Sequence, residues 1–266
     1  MGAERQMDRN GVVLVLDYPG RRAEAPVSSL DLQASGYTVR HLLEPPHVRE
    51  LTARAYAERL LDRYGPFPRV RAVLAYCMAG PIAQEVAALL GAANGVGPPL
   101  VLFDGEPATV EDIAGQYRAA GANLGALLNL DEADWTPPPA FDDSLLRDDP
   151  AEAVRRIRRG LLDLGGRAVT RGSDDPDAAR ADAEAVTEFY LDWLCHLVAA
   201  HNSSWPAWGG PAVQIVSRDQ PCPPQWPGAA QTRTIRVQAS RVELLSHPEV
   251  ADVVRSILKE AHDGPA

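Results

Sequence analysis

The stretch Leu74-Ala75-Tyr76-Cys77-Met78-Ala79-Gly80 decides how this chain reads. It leaves an apolar run, Val70–Ala75, and enters Pro81-Ile82-Ala83-Gln84-Glu85-Val86. There Ile82, Val86, Leu89 and Leu90 recur at helical spacing as far as Gly91. Pro81 suits a first helical turn, where its missing N–H has no partner to lose. A strand therefore turns sharply into a helix at Cys77. Such a turn needs small residues two before and two after its apex, because strand and helix pack closely against it. Both are alanine, Ala75 and Ala79, with Gly80 next. This is the layout of a nucleophile elbow, G-x-S-x-G in its usual form, with cysteine in the nucleophile position. A free cysteine is as commonly a small buried hydrophobe, so its surroundings must carry the reading.

Outward from the elbow, strands and helices alternate. Val12-Val13-Leu14-Val15-Leu16 is apolar on both faces, as in a buried parallel strand, and ends in Asp17-Tyr18-Pro19-Gly20. A strand is expected at Tyr37–Leu43, a helix over His47–Arg63 stopped by Gly65-Pro66, and a strand at Pro99–Phe103 ending at Asp104. The alternation predicts an α/β class with a mostly parallel sheet and helices on both faces. Beyond residue 110 the pattern changes. Residues 111–129 read as helix, Asp131–Asp149 as an acidic, Pro-rich loop, and Ala151–Leu164 and Ala178–His201 as helices around a Gly/Asp stretch at Gly165–Asp177. Strands return at Ala212–Ser217 and Arg233–Gln238, and an amphipathic helix closes the chain at Pro248–Ala261. The expectation is one domain, 1–266, with residues 111–208 inserted as a helical lid over the sheet edge where ligands bind in such folds.

Composition narrows the chemistry. The 266 residues carry a net charge of −10, with 45% hydrophobic and 23% charged residues. That acidity argues against nucleic acid as a partner. The sole lysine, Lys259, lies in the polar C-terminal run, so neither a Schiff base nor a P-loop is expected. The histidines form no H-x-x-x-H pair, and the three cysteines, Cys77, Cys195 and Cys222, form no C-x-x-C, so no metal and no cofactor are expected. No apolar stretch is long enough to span a membrane, and the polar N-terminus has no signal-peptide core. The cytoplasm is the expected location.

The pieces fit together in one further way. Gly65-Pro66, the strand and elbow Ala72–Gly80, the helix opening Pro81–Ala87, the strand Pro99–Asp104 and the terminal Leu244-Leu245-Ser246-His247-Pro248 follow in an order that resembles the thioesterase family of the α/β-hydrolase fold. The likeness is to the thioesterases that release polyketide or nonribosomal peptide chains. It spans Val12 to about Pro107 and Val213 to the C-terminus. It implies Cys77 as nucleophile and Asp104 as the acid, with Asp219 as the alternative acid that other members would use. It implies an oxyanion hole from the Met78 N–H and the Tyr18 loop, although Pro19 has no N–H to give. The family histidine falls about seven residues before the proline that opens the last helix, and here that position is Arg241. His247, just before Pro248, and His201, at the end of the last lid helix, are the other candidates for a base.

Arginine stays protonated at any usable pH and cannot be a general base. Serine would be nearly inert without a base; cysteine is less dependent on one. At a helix N-terminus and beside an arginine, the Cys77 thiol is expected to be acidified. The resemblance therefore implies acyl transfer through an acyl-cysteine, from a small acyl thioester or an acyl or peptidyl carrier protein, onto an acceptor other than water. The alternative is an impaired relative that binds an acyl chain or carrier without chemistry. The basic run Arg155, Arg156, Arg158 and Arg159 could dock an acidic carrier or be a solvated, ion-paired helix face. Trp205, Trp208 and Trp226 could wall a substrate site or simply pack.

Overall fold

A computed structural model describes residues 11–20, 22–67, 69–95, 97–128, 141–170 and 176–263. The chain divides into two compact units, one holding 11–48, 53–107 and 203–263, the other 49–52 and 108–202 among the described residues.

The first unit is built on a sheet of six strands in the order β2-β1-β3-β4-β5-β6, every neighbouring pair parallel. The strands are β1 Val12–Leu16, β2 Thr38–His41, β3 Val70–Tyr76, β4 Leu100–Phe103, β5 Pro211–Val216 and β6 Gln231–Arg236. Side chains alternate across a sheet. Val13 and Val15 of β1 share a cluster with Ala72, Leu74, Val101, Phe103, Val213 and Ile215. Helix α7, Pro248–Asp263, covers this cluster with Val250, Val254, Ile257 and Leu258. Leu14, Leu16, Val73, Ala75 and Leu102 point to the other face and are equally buried. There α1, Ala53–Tyr64, packs on α2, Gly80–Asn94, and α2 on β3 and β4. Burial on both faces explains why the central strands are apolar throughout, while the edge strand β6, Gln-Thr-Arg-Thr-Ile-Arg, is largely exposed.

The second unit contains α3 Val110–Leu127, α4 Asp143–Asp148, α5 Pro150–Thr170 and α6 Pro176–His201. Helix α3 starts on a capping box: Thr109 Oγ1 accepts the Asp112 N–H and Asp112 Oδ2 accepts the Thr109 N–H. Gly160 in mid-α5 lets α5 approach α3, because a Cβ there would overlap the Tyr117 hydroxyl. Cys195 is buried in α6.

Four expectations need correction. The helix foreseen at His47–Arg63 begins only at Ala53. Arg49–Thr52 belongs to the helical unit, where Arg49 bonds Glu188 and Asp192 and Asn202 bonds the Leu51 carbonyl. The Gly/Asp stretch from 165 remains helical through Thr170; residues 171–175 lie outside the described residues. Part of the expected 131–149 loop, 131–140, also lies outside them, but its end forms α4, capped by Asp142 on the Leu145 N–H. The helical unit ends at Asn202, so residues 203–208 belong with the sheet.

Candidate active site

The C-terminal end of β3 is where the sequence placed a strained turn. Cys77 has a φ of 55°. A non-glycine residue in this left-handed region is uncommon and is held there only by its surroundings. A single 3-10 turn, Cys77–Ala79, leads directly into α2. Ala75 and Ala79 are buried, and a Cβ on Gly80 would lie 3.1 Å from the Trp226 ring. Trp226 therefore wedges beneath the elbow. It is fixed by Nε1 donating to Gln84 Oε1 at 2.8 Å, and Gln84 in turn donates to the Pro206 and Pro227 carbonyls. Trp226 and Trp208 are buried packing residues, with Trp205 edge-on to Trp226 at 5.6 Å.

Two side chains, Glu106 and Arg241, meet at the Cys77 sulfur. Its thiol donates to Glu106 Oε1 at 3.0 Å, and Arg241 NH2 donates to Sγ at 2.8 Å and to Glu106 Oε1 at 2.9 Å. Gln220 donates through Nε2 to Glu106 Oε2 at 3.0 Å and accepts from Arg241 NH1 at 3.3 Å. Arg241 Nε donates to the Tyr76 hydroxyl at 3.4 Å and lies 3.8 Å from Glu24 Oε1. Arg22 stacks over the Tyr76 ring at 4.4 Å. Arg241, which the resemblance set at the position of a histidine, thus touches the Cys77 sulfur with a guanidinium.

The electrostatics differ from the expectation that Cys77 would be acidified. Burial pushes its thiol up to about 12, and the Glu106 charge and hydrogen bond push the same way, outweighing Arg241 and the Met78 amide. Tyr76 is likewise pushed up to about 12 by burial. Burial works against the charge on Arg241, but Cys77, Glu106 and Tyr76 together hold its pKa above the ordinary arginine value. The helix-start effect is real in direction; it loses to burial and a neighbouring carboxylate.

Asp104 directly follows β4, also with a left-handed φ of 44°, and is completely buried. Its Oδ1 accepts the Ser217 N–H at 2.7 Å, and its Oδ2 has no hydrogen-bond partner among the described residues. Burial raises its pKa, opposed by Ser217. No described hydrogen bond joins it to Cys77 or Arg241. Asp219 is exposed beside Arg218, and His247 lies next to Glu249 at the start of α7. His201 belongs to the helical unit, with Nδ1 3.0 Å from the Ala108 carbonyl and Nε2 3.1 Å from Asp143.

The loop after β1 is held by Asp17, which takes a two-pronged bond from Arg22 at 2.6 and 2.8 Å and the Val27 N–H at 2.7 Å. Tyr18 stacks on His47 at 4.7 Å, and a cavity of about 440 Å³ opens here, lined by Asp17, Tyr18, Arg22, Glu24 and Glu44 among others. Met78 sits one residue past Cys77, where an elbow offers its amide. On the helical unit, Arg155 and Arg156 are both taken by Glu152 and Arg158 by Glu188, as in an ion-paired helix face.

Glu106 and Gln220 were not singled out from the sequence. Each sits within two residues of a position that was: Glu106 follows Asp104 and Gln220 follows Asp219.

A parallel sheet clad on both faces, with a left-handed residue between β3 and α2, defines an α/β-hydrolase-like fold. Among solved structures the chain is similar to RedJ with a PEG molecule bound in the active site. The two are 16% identical over 96% of this chain and 95% of that chain, with a TM-score of 0.50. A second RedJ structure, the thioesterase from the prodiginine biosynthetic pathway in Streptomyces coelicolor, aligns at 16% identity over 94% and 85% of the two chains, with a TM-score of 0.48. The NocB thioesterase domain from the nocardicin cluster aligns at 17% identity over 96% of both chains, with a TM-score of 0.43. At such identities the likeness to RedJ is one of fold. No family model and no curated protein matches the chain. No described helix is long and apolar enough to cross a membrane.

Proposed function

We propose that the protein is a thioesterase-like acyl transferase of secondary-metabolite biosynthesis, polyketide or nonribosomal peptide, working in the cytoplasm without a cofactor. It takes an acyl group from a small thioester or an acyl or peptidyl carrier protein onto Cys77, and the inserted helical unit serves as its lid. One observation carries the reading: a cysteine at a left-handed elbow whose thiol is bonded to a carboxylate and a guanidinium at once. The fold shared with RedJ fits it.

Burial and the Glu106 charge keep the thiol protonated at pH 7, so the proton must leave as sulfur attacks. Glu106, in hydrogen-bond reach of Sγ, is the acceptor. The Sγ–C bond forms, the bond from acyl carbon to carrier sulfur breaks, and the proton passes through Glu106 to the departing carrier thiolate. The Met78 amide and an N–H of the Tyr18 loop face the oxyanion, while Asp104 stays behind the site. In the second half an acceptor amine attacks, its N–C bond replaces C–Sγ, and its proton returns through Glu106 to sulfur. Water needs a base to take its proton as it attacks, whereas a neutral amine is nucleophilic enough to attack first and give up its proton afterwards.

The elevated thiol pKa favours a second reading, a catalytically impaired relative that holds an acyl chain or carrier protein. Incubation with octanoyl-N-acetylcysteamine separates the two. The expected result is an octanoyl adduct on Cys77, stable in water and discharged by benzylamine as the amide. Absence of the adduct, or hydrolysis by a Cys77→Ala variant, overturns the transferase reading.

A further inference from the structure

Gln220 occupies an unusual place in the cluster. Its amide is the only described side chain that bonds both Glu106 and Arg241 without touching the sulfur. Only one orientation of the amide satisfies both, N–H toward the carboxylate and oxygen toward the guanidinium.

The loop that presents Gln220 is anchored on several sides. The Ser217 N–H is held by Asp104 Oδ1, and the Arg218 N–H by the Ala239 carbonyl at 2.9 Å. Arg236, the last residue of β6, donates through NH1 to the carbonyls of Ser217, Arg218 and Gln220 at 2.9, 2.9 and 3.0 Å. The Gln220 N–H closes back on the Ser217 carbonyl at 3.3 Å. A flexible glutamine loses rotamer freedom when fixed this way.

We infer that Gln220 is a positioning residue. It aims the Glu106 carboxylate and the Arg241 guanidinium at Cys77 Sγ, and Asp104 and Arg236 hold the loop from which it acts. Asp104, which stands where the family has its triad acid, thereby works through Ser217 and Gln220 rather than through a histidine. This deepens the transferase reading and rests on it for the acylation step.

The charges facing Cys77 give the role a signature that general loosening would not. Glu106 raises the thiol pKa and Arg241 lowers it. Loss of Gln220 lets the Glu106 carboxylate swing away from the sulfur and removes a competing acceptor from Arg241; a more distant carboxylate and a closer guanidinium both lower the thiol pKa. Acylation should move the opposite way, because the proton acceptor is no longer aimed.

The experiment compares the parent with Gln220→Ala and Arg236→Ala. One arm follows iodoacetamide alkylation of Cys77 between pH 7 and 10 by peptide mass, with added glutathione as the reference thiol, since Arg236 itself donates to the Cys222 sulfur. The other follows octanoyl adduct formation at Cys77. For Gln220→Ala we expect Cys77 alkylation at pH 9 to rise about threefold to tenfold, half to one unit in thiol pKa, and acylation to fall about tenfold. Arg236→Ala should move both readouts in the same directions by less. An alkylation profile unchanged in both variants, or alkylation and acylation falling together, overturns the positioning role. A parent that alkylates normally but never forms the octanoyl adduct sinks the transferase reading, while the alkylation arm still decides the role of Gln220.

Discussion

Two strands of the sheet, β3 and β4, end in the same unusual way and lead to opposite outcomes. Each runs into a non-glycine residue with left-handed backbone, Cys77 at φ 55° and Asp104 at φ 44°. At β3 that conformation presents a partly exposed sulfur to Glu106 and Arg241. At β4 the side chain is wholly buried and its one bonded oxygen holds the Ser217 N–H. Gly105 then packs closely on β4, since a Cβ there would lie 2.9 Å from the Leu102 Cβ, and the next residue, Glu106, reaches the sulfur. Backbone strain therefore marks both strand ends, yet it leads to different surroundings at each. What separates them is whether the strained residue's polar atom faces another reactive group or the protein's own backbone.

The sharpest way to break this comparison is to move the carboxylate's work from Glu106 back to Asp104. Glu106→Gln keeps the shape and removes the proton acceptor. Acylation of Cys77 by octanoyl-N-acetylcysteamine should fall by about 100-fold or more, the usual contribution of a positioned base. The same variant removes the negative charge that raises the thiol pKa, so Cys77 alkylation at pH 9 should increase. A Glu106→Gln protein acylated at the parental rate would return the catalytic carboxylate to another residue.

Arg241→His tests the missing base directly. An imidazole beside Cys77 could accept a proton from water, which a guanidinium cannot. We expect the acyl-cysteine, stable in the parent, to be hydrolysed at least about tenfold faster in the variant, with a rise through the imidazole titration range near pH 6–7. Release of octanoic acid measures this. An equally stable adduct would mean that Asp104 and the oxyanion donors are no longer arranged for hydrolysis.

Asp104→Asn should matter far less than either. The amide oxygen can still accept the Ser217 N–H, so acylation should fall by less than about tenfold, in contrast to the loss expected of a triad acid. A drop as large as that of Glu106→Gln would show that the two strand ends are catalytic partners after all.

The fold was legible because its signals are local. β1 and β3 are apolar on both faces, Ala75 and Ala79 flank the turn, and Pro81 sits in the first turn of α2. The start of α1 was not legible, because Arg49–Thr52 is drawn into the helical unit by contacts to Glu188, Asp192 and Asn202, some 139–151 residues away. The site was half legible for the same reason. Cys77 was read from the elbow motif and Arg241 from the family resemblance, and the structure brings the two side chains together, but Glu106 and Gln220 were each passed over for the acidic neighbour that the resemblance favours. Strand ends fix where a loop begins. Which of its residues turns inward depends on the left-handed Asp104 and on Arg236 gathering three carbonyls, neither of which leaves a periodic trace in the sequence.

The smallest expected effect concerns strain itself. Glycine adopts a φ of 55° without penalty, so Cys77→Gly should relieve about 1 kcal/mol at the elbow. Asp104→Gly gains the same relief but leaves the buried Ser217 N–H without its acceptor, a loss of about 1–3 kcal/mol. Opposite shifts in thermal midpoint at pH 7, up for Cys77→Gly and down for Asp104→Gly, are the expected result. A pH series adds a sign. The folded thiol titrates at about 12 against an ordinary 9.0, so between those values the folded state binds more protons than the unfolded. The stability this contributes is complete below pH 9 and is lost as pH rises toward 12. Cys77→Gly has no thiol to ionise and escapes that loss, so its advantage over the parent should widen from pH 9 upward. An advantage that stays level from pH 7 to 11 would mean that the thiol is not held in its protonated form by burial and Glu106.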